Sequence, residues 1–263
     1  MKSRIQNLLI EAYGSRGVIR QLIAQQLILR YRRTFLGYLW TLVSPLLMMS
    51  VMAAVFSGLL KSDLKDFVVF LFAAMIPWNF FSAVVTQSGG CFINNEGLIK
   101  KIYIPKLVFP ISLALALLVD SLLSFIALFF IIIAIGAKIS FALFFIAIAY
   151  FIVFFFSFGA GLIMSVATVF FRDLQYVTVI AMQGLFFLSP ILYKPEALAG
   201  GSIGWLVSLN PIVPFIELFR MPLYYGSLPT TDVLLQACAF ALGSTVLGLI
   251  VFMRNEKQIV FRL

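Results

Sequence analysis

Histidine is absent from the 263 residues, which removes the commonest general base and the commonest metal ligand. There are two cysteines, Cys91 and Cys238, far apart and in no ligand spacing, so a zinc site or a disulfide framework is not expected. The dipeptide Gly-Lys never occurs, so the chain has no GxxxxGK[ST] phosphate loop. It is expected to bind no cofactor itself, and any ATP and Mg must be held by a partner subunit. Charge is also scarce, at 11% of residues against about 25% in soluble domains.

What fills the space is apolar. Hydrophobic residues make up 63% of the chain and the mean hydropathy is +1.10. That is too much for one soluble core of this length. A soluble enzyme, a disordered chain and a fibrous protein are excluded, leaving an integral membrane protein. Residues 1–33 are broken up by Lys2, Arg4, Glu11, Arg16, Arg20, Arg30, Arg32 and Arg33, so no signal-type apolar core is expected there.

A bilayer core needs about 20 apolar residues per helix. Six stretches meet that length: 34–60, 67–88, 107–135, 141–169, 174–193 and 232–253. Pro45, Pro77 and Pro110 lie in or near them, where membrane helices tolerate kinks. With the N-terminus in the cytoplasm, fourteen of the nineteen Lys and Arg fall on the inner side. That bias predicts two cytoplasmic termini and an even number of spans. The formal charge of +9 then reflects topology and anionic lipid rather than nucleic acid. The expected fold is all-α: a cytoplasmic amphipathic segment at 1–33, a six-span transmembrane domain at 34–253 and a cytoplasmic tail at 254–263.

Four pieces do not span. Ile5, Leu8, Leu9 and Ala12 precede a Gly14-Ser15-Arg16-Gly17 break, after which Ile19, Leu22, Ile23 and Leu27 continue at helical spacing. This reads as an amphipathic helix on the inner membrane surface, serving as an anchor or a gate. The loop at 89–106 places Asn94, Asn95 and Glu96 before Leu98 and Ile99, then Lys100 and Lys101. It reads as a short helix that docks a cytosolic partner, or as a solvated basic loop. At Phe170-Phe171-Arg172-Asp173-Leu174-Gln175 two spans meet in a tight turn. Finally, six of the ten prolines fall between Pro190 and Pro229, separating apolar runs too short to span. These runs read as re-entrant or interfacial helices near the outer face. Glu217 and Arg220, three apart, share a helical face there.

Asp120 is the one acid near the middle of a span, where such a group is costly and marks either function or a hydrogen bond to a neighbouring helix. Trp40, Trp78, Tyr193, Trp205, Tyr224 and Tyr225 fall near the interfaces, as belt residues or as rings lining a conduit. Gly159 with Gly161, and Ala239 with Gly243, mark close helix contacts within the chain or between copies.

Taken together, RYRRTFLGYLWTLVSPLL at 30–47, NNEGLIKKIYIPKLVFP at 94–110, FFRDLQY at 170–176, SPILY at 189–193 and Asn210-Pro211 resemble one family. It is the permease subunit of bacterial type-2 ATP-binding-cassette (ABC) exporters of the polysaccharide branch, which serves O-antigen, capsule or teichoic acid; the FRDLQY turn leans to O-antigen. The resemblance implies a homodimeric permease in the bacterial inner membrane with two cytosolic ATPase subunits and a polyprenyl-diphosphate-linked glycan as substrate. It implies that Asn94, Asn95, Glu96, Leu98, Ile99, Lys100 and Lys101 couple to the ATPase. It implies a gating role for the first amphipathic helix, with Arg30, Arg32 and Arg33 suited to a diphosphate. It implies that short outer helices within 203–225 line the exit; Tyr193, Trp205, Glu217, Arg220, Tyr224 and Tyr225 are the expected mouth residues. Two alternatives remain: a secondary carrier, which calls for inverted repeats and paired midplane charges, and a membrane-embedded glycosyl- or phospho-transferase, which calls for clustered acids. Neither pattern is found.

Overall fold

The computed structural model describes residues 10–11, 13–30, 37–60, 63–135, 140–194, 205 and 209–263. The element carrying most of the packing is the apolar stretch Leu64–Ser88, here α3. Its side chains are buried almost along its whole length, from Phe67 to Val85. Around it stand Trp40–Leu60 (α2), Val108–Ile135 (α5), Ile146–Phe170 (α6), Leu174–Leu188 (α7) and Thr231–Arg262 (α9). The helix Arg16–Arg30 (α1) lies against α5, and Glu96–Lys101 (α4) forms a short helix between α3 and α5. Val213–Arg220 (α8) precedes α9.

Helices form here because a hydrocarbon environment leaves backbone N–H and C=O groups no other partner. The six expected apolar stretches each appear as a helix. Four are long and apolar enough to cross a membrane among the described residues: Leu64–Ser88, Val108–Ala134, Phe141–Phe170 and Thr231–Arg262. Val43–Leu59 and Leu174–Leu188 are apolar but shorter. The stretch expected at 174–193 ends early, because Ser189 leaves the helix and Pro190 cannot continue it. At 1.5 Å per residue, the 15 residues of α7 reach only about 22 Å.

The most extensive packing joins α6 to α9. It is a small-residue seam: Gly159 faces the backbone of Ser244 and Thr245, and Gly248 faces the backbone of Gly159. The hydroxyls of Ser244 and Thr245 donate to the carbonyls of Phe156 (2.9 Å) and Phe155 (2.8 Å). Sequence spacing pointed to Ala239 and Gly243 on α9, but both are exposed and nothing lies near Gly243. Gly161 faces α3 instead, against Ser88 and Val84.

At the start of α1 the expected break at Gly14–Gly17 is a single turn residue. Ser15 N–H still reaches the Glu11 carbonyl at 3.0 Å, and Ile19 N–H reaches Ser15 at 3.0 Å, so helical bonding runs through it. Leu22 is buried and Val18 and Ile19 pack on the core, while Arg16 and Arg20 are exposed. Residues 1–9 and 12 lie outside the described residues.

Candidate functional site

Three surfaces bear on function: the α4 end of the bundle, the polar face of α3, and the α8 end.

At the α4 end, Glu96 opens the helix and Lys100 and Lys101 close it, the order a helix dipole favours. Lys100 Nζ lies 2.6 Å from Glu96 Oε1, an i, i+4 pair that is largely exposed. The hydrogen bond from Lys100, its charge and that of Arg172 hold the Glu96 carboxyl below the usual carboxylate range. Asn95 donates its side-chain amide to the Cys91 carbonyl at 2.8 Å, and Asn94 N–H reaches Gly90 at 2.8 Å.

Leu98 and Ile99 do not project outward. They are half-buried and pack against the core, so they seat α4 rather than present it. The exposed apolar residues at this end are Ile102 and Tyr103, just past the helix, with Phe171 and Phe261. Ordinary apolar patterning does not separate Ile102 from Ile99; only the seating of α4 does. The segment is braced from behind by α9. Phe92 stacks on Phe252 with centroids 6.5 Å apart, Ile259 is fully buried, and the Arg262 guanidinium sits 4.4 Å over the Phe170 ring. Burial pushes the Cys91 thiol well above its ordinary range. Cys91 should therefore resist maleimide in the native protein and react on unfolding, as mass spectrometry of labelled protein will read; rapid native labelling would contradict this packing.

The polar face of α3 was missed in the sequence. Asn79, Ser82, Thr86 and Gln87 stand at i, i+3, i+7 and i+8, one polar stripe on a helix that is otherwise apolar between its ends. The signal was present in NFFSAVVTQ but hidden by a hydropathy average. Three cavities border this stripe. A groove of about 490 Å³ runs between α2, α3 and α7, lined by Met52, Trp78, Asn79, Ser82, Gln183 and Phe186, among others. A second, of about 450 Å³, opens at the α4 end beside Gln25, Gln26, Thr86, Gln87, Asn94 and Gln175. A third, of about 220 Å³, lies between α2, α3 and α5 and contains Asp120. Thr86 lines the first two, Gln87 the second and third, and Asn79 the first and third. Asp120 is thus at a cavity wall, and the hydroxyl of its neighbour Ser121 pairs with Tyr150 at 3.2 Å. Beyond the groove, α7 exposes Val177, Ile180 and Leu188.

At the α8 end, Phe215, Ile216, Leu218 and Phe219 are fully buried, so α8 is packed into the bundle. Phe215 stacks on Phe156 at 4.3 Å and Phe219 meets Tyr150 at 5.0 Å. Arg220 is fully buried as well. Its guanidinium donates to Glu217 Oε1 at 2.8 Å and to the Pro190 carbonyl at 2.6 Å, and lies 3.9 Å over the Phe70 ring. Asn210 donates to Ser189 at 2.9 Å and accepts from Ile212 N–H at 3.1 Å. The Ser189-Pro190 and Asn210-Pro211 motifs are therefore brought together. Tyr224 is half-buried against Phe70, while Tyr225 and Trp205 are exposed and Tyr193 is half-buried. Gly226, at φ +68°, ends this turn in a conformation that favours glycine. The side chains of Arg30, Arg32 and Arg33 lie outside the described residues.

The chain is 27% identical over 230 residues to the "O-antigen export system permease protein RfbA" of Myxococcus xanthus, covering 87% of this chain and 88% of that protein. It is 29% identical over 203 residues to a protein of the same name from Klebsiella pneumoniae, covering 76% and 77%. It is 25% identical over 249 residues to the "Polysialic acid transport protein KpsM" of Escherichia coli, covering 92% and 95%. The model of the family described as ABC-2 type transporter matches residues 17–224, and on that match, most of the chain's length, this protein belongs to the ABC-2 type transporter family.

Proposed function

We propose that this chain is the channel-forming permease of an ATP-driven polysaccharide exporter, acting on an O-antigen-like, polyprenyl-diphosphate-linked glycan. Near-full-length likeness to permeases named for O-antigen export carries this reading. The chain is not an enzyme; ATP and Mg belong to two separate cytosolic ATPase subunits. All six apolar helices cross the bacterial inner membrane with both termini inside. The short α7 spans within an assembly, where a second copy covers its exposed apolar side and completes the conduit. The groove along α2, α3 and α7 is one half of that conduit, and its neutral amides and hydroxyls beside aromatic rings suit sugar hydroxyls and ring faces. Arg30, Arg32 and Arg33 hold the diphosphate at the entrance, where α1 acts as the gate. Tyr193, Trp205, Glu217, Arg220, Tyr224 and Tyr225 belong to the exit region, Arg220 by tying its parts together.

In this reading Asn94 to Lys101 transmit ATPase movement. Leu98 and Ile99 seat the lever, and the polar residues with Ile102 and Tyr103 meet the partner. Reversing Lys100→Glu with Lys101→Glu and removing Tyr103→Ala should reduce permease-stimulated ATP hydrolysis at least tenfold in co-reconstituted vesicles, with the permease still monodisperse. Stimulation at wild-type level would sink the coupling assignment.

A further inference from the structure

The inward side of α1 is not uniformly apolar. Leu22 is buried there, and Gln25 and Gln26 follow it at i+3 and i+4, where a helix that only anchors would carry apolar side chains. With Leu22 they line the cavity of about 450 Å³ at the α4 end, a volume within the range of about 300–1,000 Å³ typical of small-molecule pockets. Across it stand Asn94 and Asn95 in the turn leading into α4, Thr86 near the end of α3, and Gln175 at the start of α7. Side-chain amides therefore enter from three separate parts of the chain. The Oε1 atom of Gln26 is buried with no hydrogen-bond partner. An acceptor buried without a donor is costly, and on a cavity wall the cost is relieved when an occupant supplies that donor.

The lining selects the occupant. None of the described residues around this cavity is charged. A phosphate or other anion would lack a cation, and a divalent metal ion would lack a carboxylate. An acyl chain would leave the amides without partners. Each side-chain amide carries donors and acceptors together. The Thr86 hydroxyl donates to the Ser82 carbonyl at 2.7 Å and can still accept. Asn95 donates one N–H to the Cys91 carbonyl at 2.8 Å and retains its oxygen as an acceptor. Neutral hydroxyls, which donate and accept at once, match this set, and their donor half is what the Gln26 oxygen needs.

We propose that this cavity binds a neutral, hydroxyl-bearing ring, one sugar of the glycan, between α1 and the turn before α4, with Gln26 as its buried hydroxyl acceptor. The assignment to the glycan rests on the exporter reading and deepens it. A sugar held by Gln25 and Gln26 on one side and by Asn94 and Asn95 on the other ties α1 to the segment that leads into the coupling helix. Loading of the substrate is thereby felt at α4. The glycerol headgroup of phosphatidylglycerol offers the same hydroxyls beside an amphipathic helix, and the experiment separates the two sources.

The test uses the full chain in nanodiscs of phosphatidylcholine, whose headgroup carries neither hydroxyl nor N–H. D-mannose, D-galactose, L-rhamnose and N-acetyl-D-glucosamine are titrated and followed by saturation-transfer difference NMR. At least one should give a saturable signal, weakened about tenfold by Gln26→Met and by Gln175→Met, which keep the unbranched shape and remove the amide. Should either lose its monodisperse profile, Gln25→Ala, at an exposed position, carries the test. No saturable signal in the wild type, or one that no folded variant changes, overturns the site and leaves a water on Gln26. Backbone hydrogen exchange across residues 16–30 should slow severalfold at saturating sugar in the wild type and not in Gln26→Met. Binding without that protection overturns the tie between α1 and the turn. Exchanging the lipid for phosphatidylglycerol should leave the sugar signal unchanged; its loss overturns the assignment to substrate and leaves the lipid headgroup. Sugar binding by a wild type that exports no glycan in cells supplied with the ATPase overturns the exporter reading and not the site.

Discussion

Gly159→Leu should leave little folded protein. A Cβ on Gly159 would stand 2.3 Å from the Ser244 carbonyl carbon, 2.4 Å from its oxygen and 2.5 Å from Thr245 N. These are backbone atoms of a neighbouring helix, so no rotamer change relieves the overlap. The helices must part, and parting them breaks the Ser244–Phe156 and Thr245–Phe155 hydrogen bonds along the chain's most extensive helix contact. Overpacking alone costs about 1–3 kcal/mol, and each interhelical hydrogen bond in a membrane adds about 0.6 kcal/mol. The combined loss is about 2–4 kcal/mol. Gly248→Ala strikes the same seam from the other side, 2.5 Å from the Gly159 carbonyl oxygen. Gly243→Leu is the control, since nothing lies within 4 Å of it. Fluorescence-detected size exclusion after heating should show Gly159→Leu aggregated where the control matches the wild type. A wild-type melting point for Gly159→Leu would mean that α6 and α9 do not cross here.

How much of this was readable beforehand depends on the kind of information required. Six apolar runs announce six helices, because length and hydropathy are local. That Leu174–Leu188 stops short was readable too, since Ser189-Pro190 is a local stop. The partner of a small residue is not local. Gly159 and Gly248 form the seam while Ala239 and Gly243, spaced for it, face outward, and only the rotation of α9 against α6 decides that. The same holds at α4, where Leu98 and Ile99 read as a docking face yet seat the helix. The polar stripe from Asn79 to Gln87 was in plain view, but it matters only because α2, α5 and α7 leave cavities along it. The Glu217–Arg220 pair was predicted from spacing alone, while its burial and its reach to Pro190 were not.

Arg220 carries the second large effect. The cation is enclosed at the α8 end with Glu217 only 15% exposed, so the pair sits where screening by water is weak. Arg220→Met removes the partner of a half-buried carboxylate, frees the Pro190 carbonyl and loses the contact over Phe70. Breaking one side of a buried pair costs about 3–5 kcal/mol. Removing the second charge as well, in Arg220→Met with Glu217→Gln, leaves chiefly the unpaired carbonyl, at about 1–3 kcal/mol. The double variant should therefore be more stable than the single one, although it carries more substitutions. Arg220→Lys keeps the charge but cannot reach Glu217 and Pro190 with a planar fork, so it should fall between them and the wild type. Thermal midpoints in one detergent order the four proteins. If the single and double variants melt together, the carboxylate is not held by Arg220. Because Pro190 follows the end of α7 and Arg220 ends α8, this bond also joins the end of a groove-lining helix to the buried helix α8. Loosening it should raise leak of a small sugar through liposomes holding the permease, beyond what Gly243→Leu produces; equal leak would confine Arg220 to stability.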